Sequence, residues 1–214
     1  MKRLGGVYLV VDPKKDWKEL LNKLKQALEG GVSIVQVWNH WADDLSPDEQ
    51  LNFIRQIKQL AAQFEVPVLM NEDWQLALKA DLDGVHFDQI PENWEAVKQQ
   101  LESKIIGLTV GNDLERIQWA ASQQLDYLSF CAMFPSPSVD SCEIVNSDSV
   151  LRARELMDLP LFLSGGIRPD NLHELKKLDF QGVAIISGIM SSGDPKSAVQ
   201  AYVDQLVRLE KVKF

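Results

Sequence analysis

The chain has 214 residues, of which 45% are hydrophobic and 25% charged, the balance of one globular domain with a core large enough to need no disulfides. A net charge of −9 excludes nucleic acid and anionic membrane as partners, since both need a basic patch. No stretch nears the roughly 20 apolar residues of a membrane span, and the start Met1–Gly6 has no apolar region behind its basic residues, so a cytoplasmic protein is expected. The two cysteines, Cys131 and Cys142, lack the spacing of a zinc site.

Short apolar runs alternate with amphipathic ones along the whole chain. Strands are predicted at Val7–Val11, Ile34–Val37, Val66–Met70, Gly84–Phe87, Ile105–Leu108, Tyr127–Phe130, Leu161–Leu163 and Val183–Ile186. Their lack of polar alternation is that of strands buried on both faces. Between them, Trp17–Leu28 puts Leu20, Leu21, Leu24 and Leu28 on one helical stripe. A second helix is predicted over Pro47–Phe64, with Ser46 as N-cap and Pro47 in the first turn, and Asp194-Pro195 opens the last one. Eight such units predict a single α/β domain, a (β/α)8 TIM barrel over residues 1–214; an open doubly wound sheet is the rival, but strand 1 ends in Val11-Asp12-Pro13 without a glycine-rich turn.

In such barrels the ligand site lies at the carboxyl ends of the strands, and phosphate commonly binds after strands 7 and 8. Strand 7 runs into Ser164-Gly165-Gly166 and strand 8 into Ser187-Gly188, where glycine lets the backbone approach an anion. The alternative is that these glycines simply turn the chain. Other polar residues fall on the same rim: Gln36, Asn71, Glu72, His86, Thr109, and Ser136 and Ser138 in the loop after strand 6. Each has a plainer reading too. Asn71 or Asp73 could cap the helix near Trp74, His86 could be a packed core histidine, and Glu72 a solvated carboxylate. His173 reads as structural or exposed. Trp38, Trp41 and Trp74 near the rim suit either an aromatic ligand pocket or packing beneath the strand-2 loop. The loop Ala132–Ser147 is predicted to act as a lid, stiff at Ser136–Ser138 and weakly anchored from Asp140 to Asn146.

The ordered set Gly6-Val7-Tyr8-Leu9-Val10-Val11-Asp12, Gly30-Gly31-Val32-Ser33-Ile34-Val35-Gln36, Val66–Asn71, Asp83–Gln89, Asp126-Tyr127, Phe134–Ser138, Ser164–Ile167 and Gly182–Ser187 resembles the thiamine phosphate synthase/TenI family over almost the whole chain. The resemblance implies a transferase of thiamine biosynthesis that joins a hydroxymethylpyrimidine pyrophosphate to a thiazole phosphate with magnesium. It places pyrimidine, pyrophosphate and thiazole-phosphate contacts at Gln36, Asn71, Ser136, Ser138, Gly165, Gly166 and Ser187, with Thr109 for a usual serine. A metal, if bound, would rest on Glu72, which replaces a usual aspartate, with Asp88 or Asp73 as partner.

The sequence departs from that pattern on one side of the site. Trp38 and His40 stand where the family's Gln-x-Arg-x-Lys has its cations, Pro91 where Gly-Gln-x-Asp has a carboxylate, and Val139 where Thr-x-Thr-Lys has lysine. Thr109-Val110-Gly111-Asn112 also lacks the histidine of the TenI isomerases. Three readings stay open: a transferase with weakened activity; a non-catalytic paralogue holding a phosphorylated thiazole or pyrimidine; and an isomerase using His40 or His86 as base. The sequence leaves homo-oligomerisation open.

Overall fold

The computed structural model describes residues 4–135 and 143–212. Among them, eight parallel strands close into a barrel in chain order: β1 Gly6–Val11, β2 Val32–Val37, β3 Val68–Asn71, β4 Gly84–Phe87, β5 Ile105–Thr109, β6 Tyr127–Phe130, β7 Leu161–Ser164 and β8 Gly182–Ile185. Closure comes from β1 pairing with β8, with Val7 beside Val183 and Leu9 beside Ile185. The predicted barrel is therefore the observed one. No described helix is long and apolar enough to cross a membrane.

The helices are α1 Trp17–Gly30, α2 Pro47–Ala62, α3 Trp74–Lys79, α4 Trp94–Gln100, α5 Leu114–Ser122, α6 Ser147–Leu156, the single turn α7 Ser187–Met190, and α8 Pro195–Val212. Their starts follow local chemistry. Asp16, Asp73, Asp113 and Asn146 each accept a hydrogen bond from a first-turn N–H, and Ser46 and Glu49 form a reciprocal capping box at α2. Asp73, not Asn71, caps α3. α1 stops at Gly31, whose φ of 104° is left-handed and costs glycine nothing.

Two strands start two residues from their predicted positions, and β1 and β8 start one residue early, at Gly6 and Gly182. β2 begins two residues early, at Val32. β3 begins two residues late, because the Val66 N–H turns back to the Ala61 carbonyl at the end of α2 and Pro67 has no N–H to offer a ladder. Asp83 then holds the Val68 N–H from the far end of the next connection.

Strands buried on both faces need two cores. One lies between strands and helices and includes the parallel stack of Trp17 on Phe53. The other fills the barrel and is built from Tyr8, Val10, Ile34, Leu69, Tyr127 and Phe162, with Trp38 and Ile186 packed over it at the carboxyl end. The floor of the site is thus part of the packed interior.

Candidate functional site

Above the inner core, at the carboxyl ends of the strands, lies a cavity of about 800 Å3. Gln36, His86, Thr109, Gly165, Gly166, Ser187 and Gly188 all line it. So do Tyr8, Trp38, Asp88, Arg116 and Arg168. Ser136 and Ser138 lie outside the described residues.

The glycine turn after β7 is built against the loop that follows β6. Gly165 and Gly166 have φ of 81° and 65°, which glycine adopts without strain. A Cβ on Gly165 would come within 2.4 Å of Ala132 Cβ, and one on Gly166 within 2.7 Å of the Phe134 and Pro135 carbonyls. The Met133 and Phe134 N–H groups meanwhile donate to the Ser164 and Gly165 carbonyls at 2.8 and 3.1 Å. These glycines are therefore required by packing as well as lining the cavity. The same holds for Gly188, whose Cβ would meet the Tyr202 hydroxyl at 2.4 Å. Buried Asn171 fixes the turn from beneath by donating to the Gly166 carbonyl and accepting from the Arg168 N–H.

Asn71 and Glu72 have a different place from the one the rim pattern predicts. Neither is part of the cavity wall; both hold Asp88, which is. Asn71 Nδ2 donates to Asp88 Oδ2 at 2.8 Å, and Glu72 Oε1 accepts from the N–H groups of Asp88 and Gln89. Glu72 does this from a left-handed backbone, φ 60°, an unusual state for a non-glycine residue. Burial alone would raise the Asp88 carboxyl, but the nearby His86 imidazole and hydrogen bonds from Asn71 and Thr109 outweigh it and hold the pKa at about 2.

This donor set is not a preformed all-protein metal site. Glu72 has an oxygen committed to two backbone amides, Asp73 caps α3, and Asp88 is held by two side chains. Among the described residues no three His, Cys, Asp or Glu side chains gather as a metal site.

Of the three rim tryptophans, Trp38 lines the cavity; Trp41 and Trp74 pack on the outer core, and Trp41 Nε1 donates to Asn39. His40 pairs with Asp12 at 3.0 Å beside Trp38, and it does not line the cavity. His173 is exposed on a 3-10 turn, Leu172–Leu175. The expected weak anchoring at Asp140–Asn146 is overturned for its described part. Val145 is buried, its N–H donates to the Ala132 carbonyl at 2.8 Å, and Asn112 binds both the Ile144 carbonyl and the Asn146 N–H.

Sequence reasoning missed Tyr8, Tyr127, Arg116 and Arg168. The tyrosines read as ordinary strand residues. Yet Tyr8 OH donates to Gln36 Oε1 at 2.5 Å, lies 2.9 Å from Tyr127 OH, and Tyr127 OH lies 2.8 Å from His86 Nδ1. Arg116 donates to the Asp88 carbonyl and Gln89 Oε1 at the mouth.

A closed parallel barrel with a deep cavity at its carboxyl face, walled by glycine turns after β7 and β8, defines a (β/α)8 protein of the small-ligand-binding kind. The chain belongs to the thiamine monophosphate synthase family, which it matches over residues 7–189. It is 30% identical over 203 residues to the thiamine-phosphate synthase of Geobacillus thermodenitrificans, covering 94% of this chain and 91% of that one. The enzyme of the same name from Methanobrevibacter smithii is 29% identical over 194 residues, covering 90% and 91%. The thiamine phosphate pyrophosphorylase structure from Pyrococcus furiosus superposes with a TM-score of 0.81 at 23% identity, over 95% and 96% of the two chains, a likeness of fold.

Proposed function

We propose that the chain is a cytoplasmic thiamine phosphate synthase-type transferase, joining a hydroxymethylpyrimidine pyrophosphate to a thiazole phosphate with low turnover. The observation that carries this is the cavity itself, which brings the glycine turn Gly165–Gly166 and the start of α7 onto one wall, with Gln36 and His86 near the floor. Backbone N–H groups at the glycine wall suit the phosphate of a thiazole phosphate, with Arg168 beside it. Relatives 29–30% identical over most of the chain carry the same activity in their names.

Low turnover follows from the opposite wall. A departing pyrophosphate gathers charge, and losing one preorganised donor to it costs about 2.7–4 kcal/mol of barrier. Here Trp38 and the Asp88 carboxylate stand on that side, and Arg116 is committed to neutral acceptors at the mouth. No step is assigned to magnesium, since one oxygen of Glu72 and both of Asp88 already hold protein donors. The same wall favours a second reading, a paralogue that holds the thiazole phosphate without turning it over.

Turnover measured with both substrates and magnesium separates the two. Slow but saturable product formation supports the transferase. Its absence, with calorimetric binding of thiazole phosphate retained, supports the binding paralogue. Fast turnover would refute the argument from the missing cations. The triple substitution Trp38→Arg, Pro91→Asp, Val139→Lys should raise turnover where the single ones do not, as expected of groups acting as a unit. Arg168→Ala should weaken thiazole phosphate binding about tenfold, the loss of a hydrogen bond to a charged group worth about 1.5–3 kcal/mol; unchanged affinity would place the phosphate elsewhere.

A further inference from the structure

Helix α8 is firmly seated behind the glycine wall of the cavity. At its start Asp194 accepts from the Ser197 N–H at 3.0 Å and from the Ser197 hydroxyl at 2.7 Å, with Pro195 in the first turn. Against α1 it has no slack, since a Cβ on Gly30 would come within 2.7 Å of the Lys196 carbonyl and 2.9 Å of Val199 Cβ. Three residues beyond Val199, on the same buried face, stands Tyr202. Its ring is therefore carried by a helix that cannot shift easily.

The Tyr202 hydroxyl meets both turns of that wall. It donates to the Ile167 carbonyl at 3.1 Å, at the end of the turn after β7. Asn171 Oδ1 accepts from the Arg168 N–H at 2.8 Å. That carbonyl and that N–H belong to one trans peptide and point in opposite directions, so Tyr202 and Asn171 hold its plane from its two sides. At α7 the contact is steric. Gly188 is not at positive φ, so its backbone does not require glycine. The hydroxyl does: a Cβ there would lie 2.4 Å from the Tyr202 oxygen. The next nearest atoms, Ile185 Cγ2 at 3.1 Å and Tyr202 Cζ at 3.4 Å, could be accommodated by shifts of a few tenths of an ångström.

We propose that Tyr202 is a positioning residue for the phosphate end of the cavity, its hydroxyl fixing the Ile167–Arg168 peptide and setting how closely α7 packs beside it at Gly188. Tyr202 is not part of the cavity wall and acts through Ile167, Arg168 and Gly188, which are. A wall fixed in the free protein spares binding the cost of ordering it. The ligand group it serves is a phosphate monoester. For that group the proposal rests on the function proposed above; the coupling of the two turns through Tyr202 does not.

The test uses the full chain with Tyr202→Phe, with Gly188→Ala, and with both, each checked by circular dichroism. Calorimetry with thiazole phosphate and with the dephosphorylated thiazole alcohol separates the phosphate from the ring. Tyr202→Phe should weaken thiazole phosphate about fivefold, the worth of one net hydrogen bond, and leave the alcohol unchanged. Gly188→Ala should weaken it about tenfold, as overpacking against the hydroxyl. In that background Tyr202→Phe should recover affinity, because the methyl group takes the space of the oxygen. The same substitution then weakens binding in one background and strengthens it in the other, which a role in folding alone does not produce. Unchanged phosphate affinity in Tyr202→Phe, equal weakening of the alcohol, or no recovery in the double variant would each overturn the proposal. If Tyr202→Phe unfolds, Gly188→Ala approaches the same oxygen from the cavity side and must by itself weaken the phosphate ester and spare the alcohol. Failure of the parent chain to bind thiazole phosphate would refute the phosphate reading instead. The coupling is then read from amide NMR without ligand: Gly188→Ala should move the Ile167 and Arg168 resonances, and should leave them in place once Tyr202→Phe is present. Resonances unmoved by Gly188→Ala would overturn the coupling.

Discussion

The ring of Tyr127 stands where a side chain on Gly107 would begin. A Cβ there would lie 2.0 Å from Tyr127 Cζ and 2.4 Å from its hydroxyl oxygen, and the two residues are direct partners across β5 and β6. The only residue without a Cβ gives the phenol room to lean across the barrel to Tyr8 and His86.

Gly107→Ala should therefore act through Tyr127. Overpacking a full core typically costs about 1–3 kcal/mol, and this overlap is with a ring held on several sides, so the upper end is expected. Denaturant titration gives the loss. A variant of unchanged stability would mean that the ring can sit elsewhere.

The barrel was legible in the sequence because burial on both faces leaves runs such as Leu161–Leu163 without polar residues, a signal contained in each run itself. Gln36, His86, Thr109 and Gly165–Gly166 were legible for a related reason: a strand end in this fold faces the cavity. Asn71 and Glu72 sit at a strand end too, yet they serve Asp88, because the connection after β4 supplies N–H groups that turn Glu72 aside. Such a partner lies 16 residues away and leaves no local pattern. The Tyr8–Tyr127 pair spans 119 residues and exists only once the barrel closes.

Asn112 ties the connection after β5 to the start of α6. Its Nδ2 donates to the Ile144 carbonyl at 2.9 Å, and its Oδ1 accepts from the Asn146 N–H at 2.8 Å and the Ser149 hydroxyl at 3.1 Å. Each such bond is worth about 0.5–1.5 kcal/mol net, and part of this site meets water. Asn112→Ala should cost about 2 kcal/mol and speed hydrogen exchange at Asn146 while leaving the β-strands protected. Exchange at Asn146 as slow as in the parent chain would mean that the buried Val145 anchors the segment without help.

All three tyrosines of the chain are buried: Tyr8, Tyr127 and Tyr202 are 2%, 0% and 1% exposed. Burial raises the phenol pKa of each. Tyr202 is pushed up to about 12, with Arg168 opposing and Asp170 adding; Tyr8 and Tyr127 lie higher still, the hydrogen bond from Tyr127 offsetting part of the rise at Tyr8. An unfolded tyrosine ionises near pH 10. The folded state therefore binds these protons more tightly. Their contribution to stability is complete below about pH 10 and is lost as pH rises from there through the folded pKa values. Phenolate absorbance at 295 nm should stay near baseline at pH 10.5 in the native protein, while the chain in concentrated urea shows about three ionising phenols centred near pH 10. At higher pH the phenolate signal should rise together with the loss of circular dichroism, as one cooperative step. Phenolate appearing at pH 10 with the dichroism intact would show that a phenol is open to water and that burial does not hold its proton.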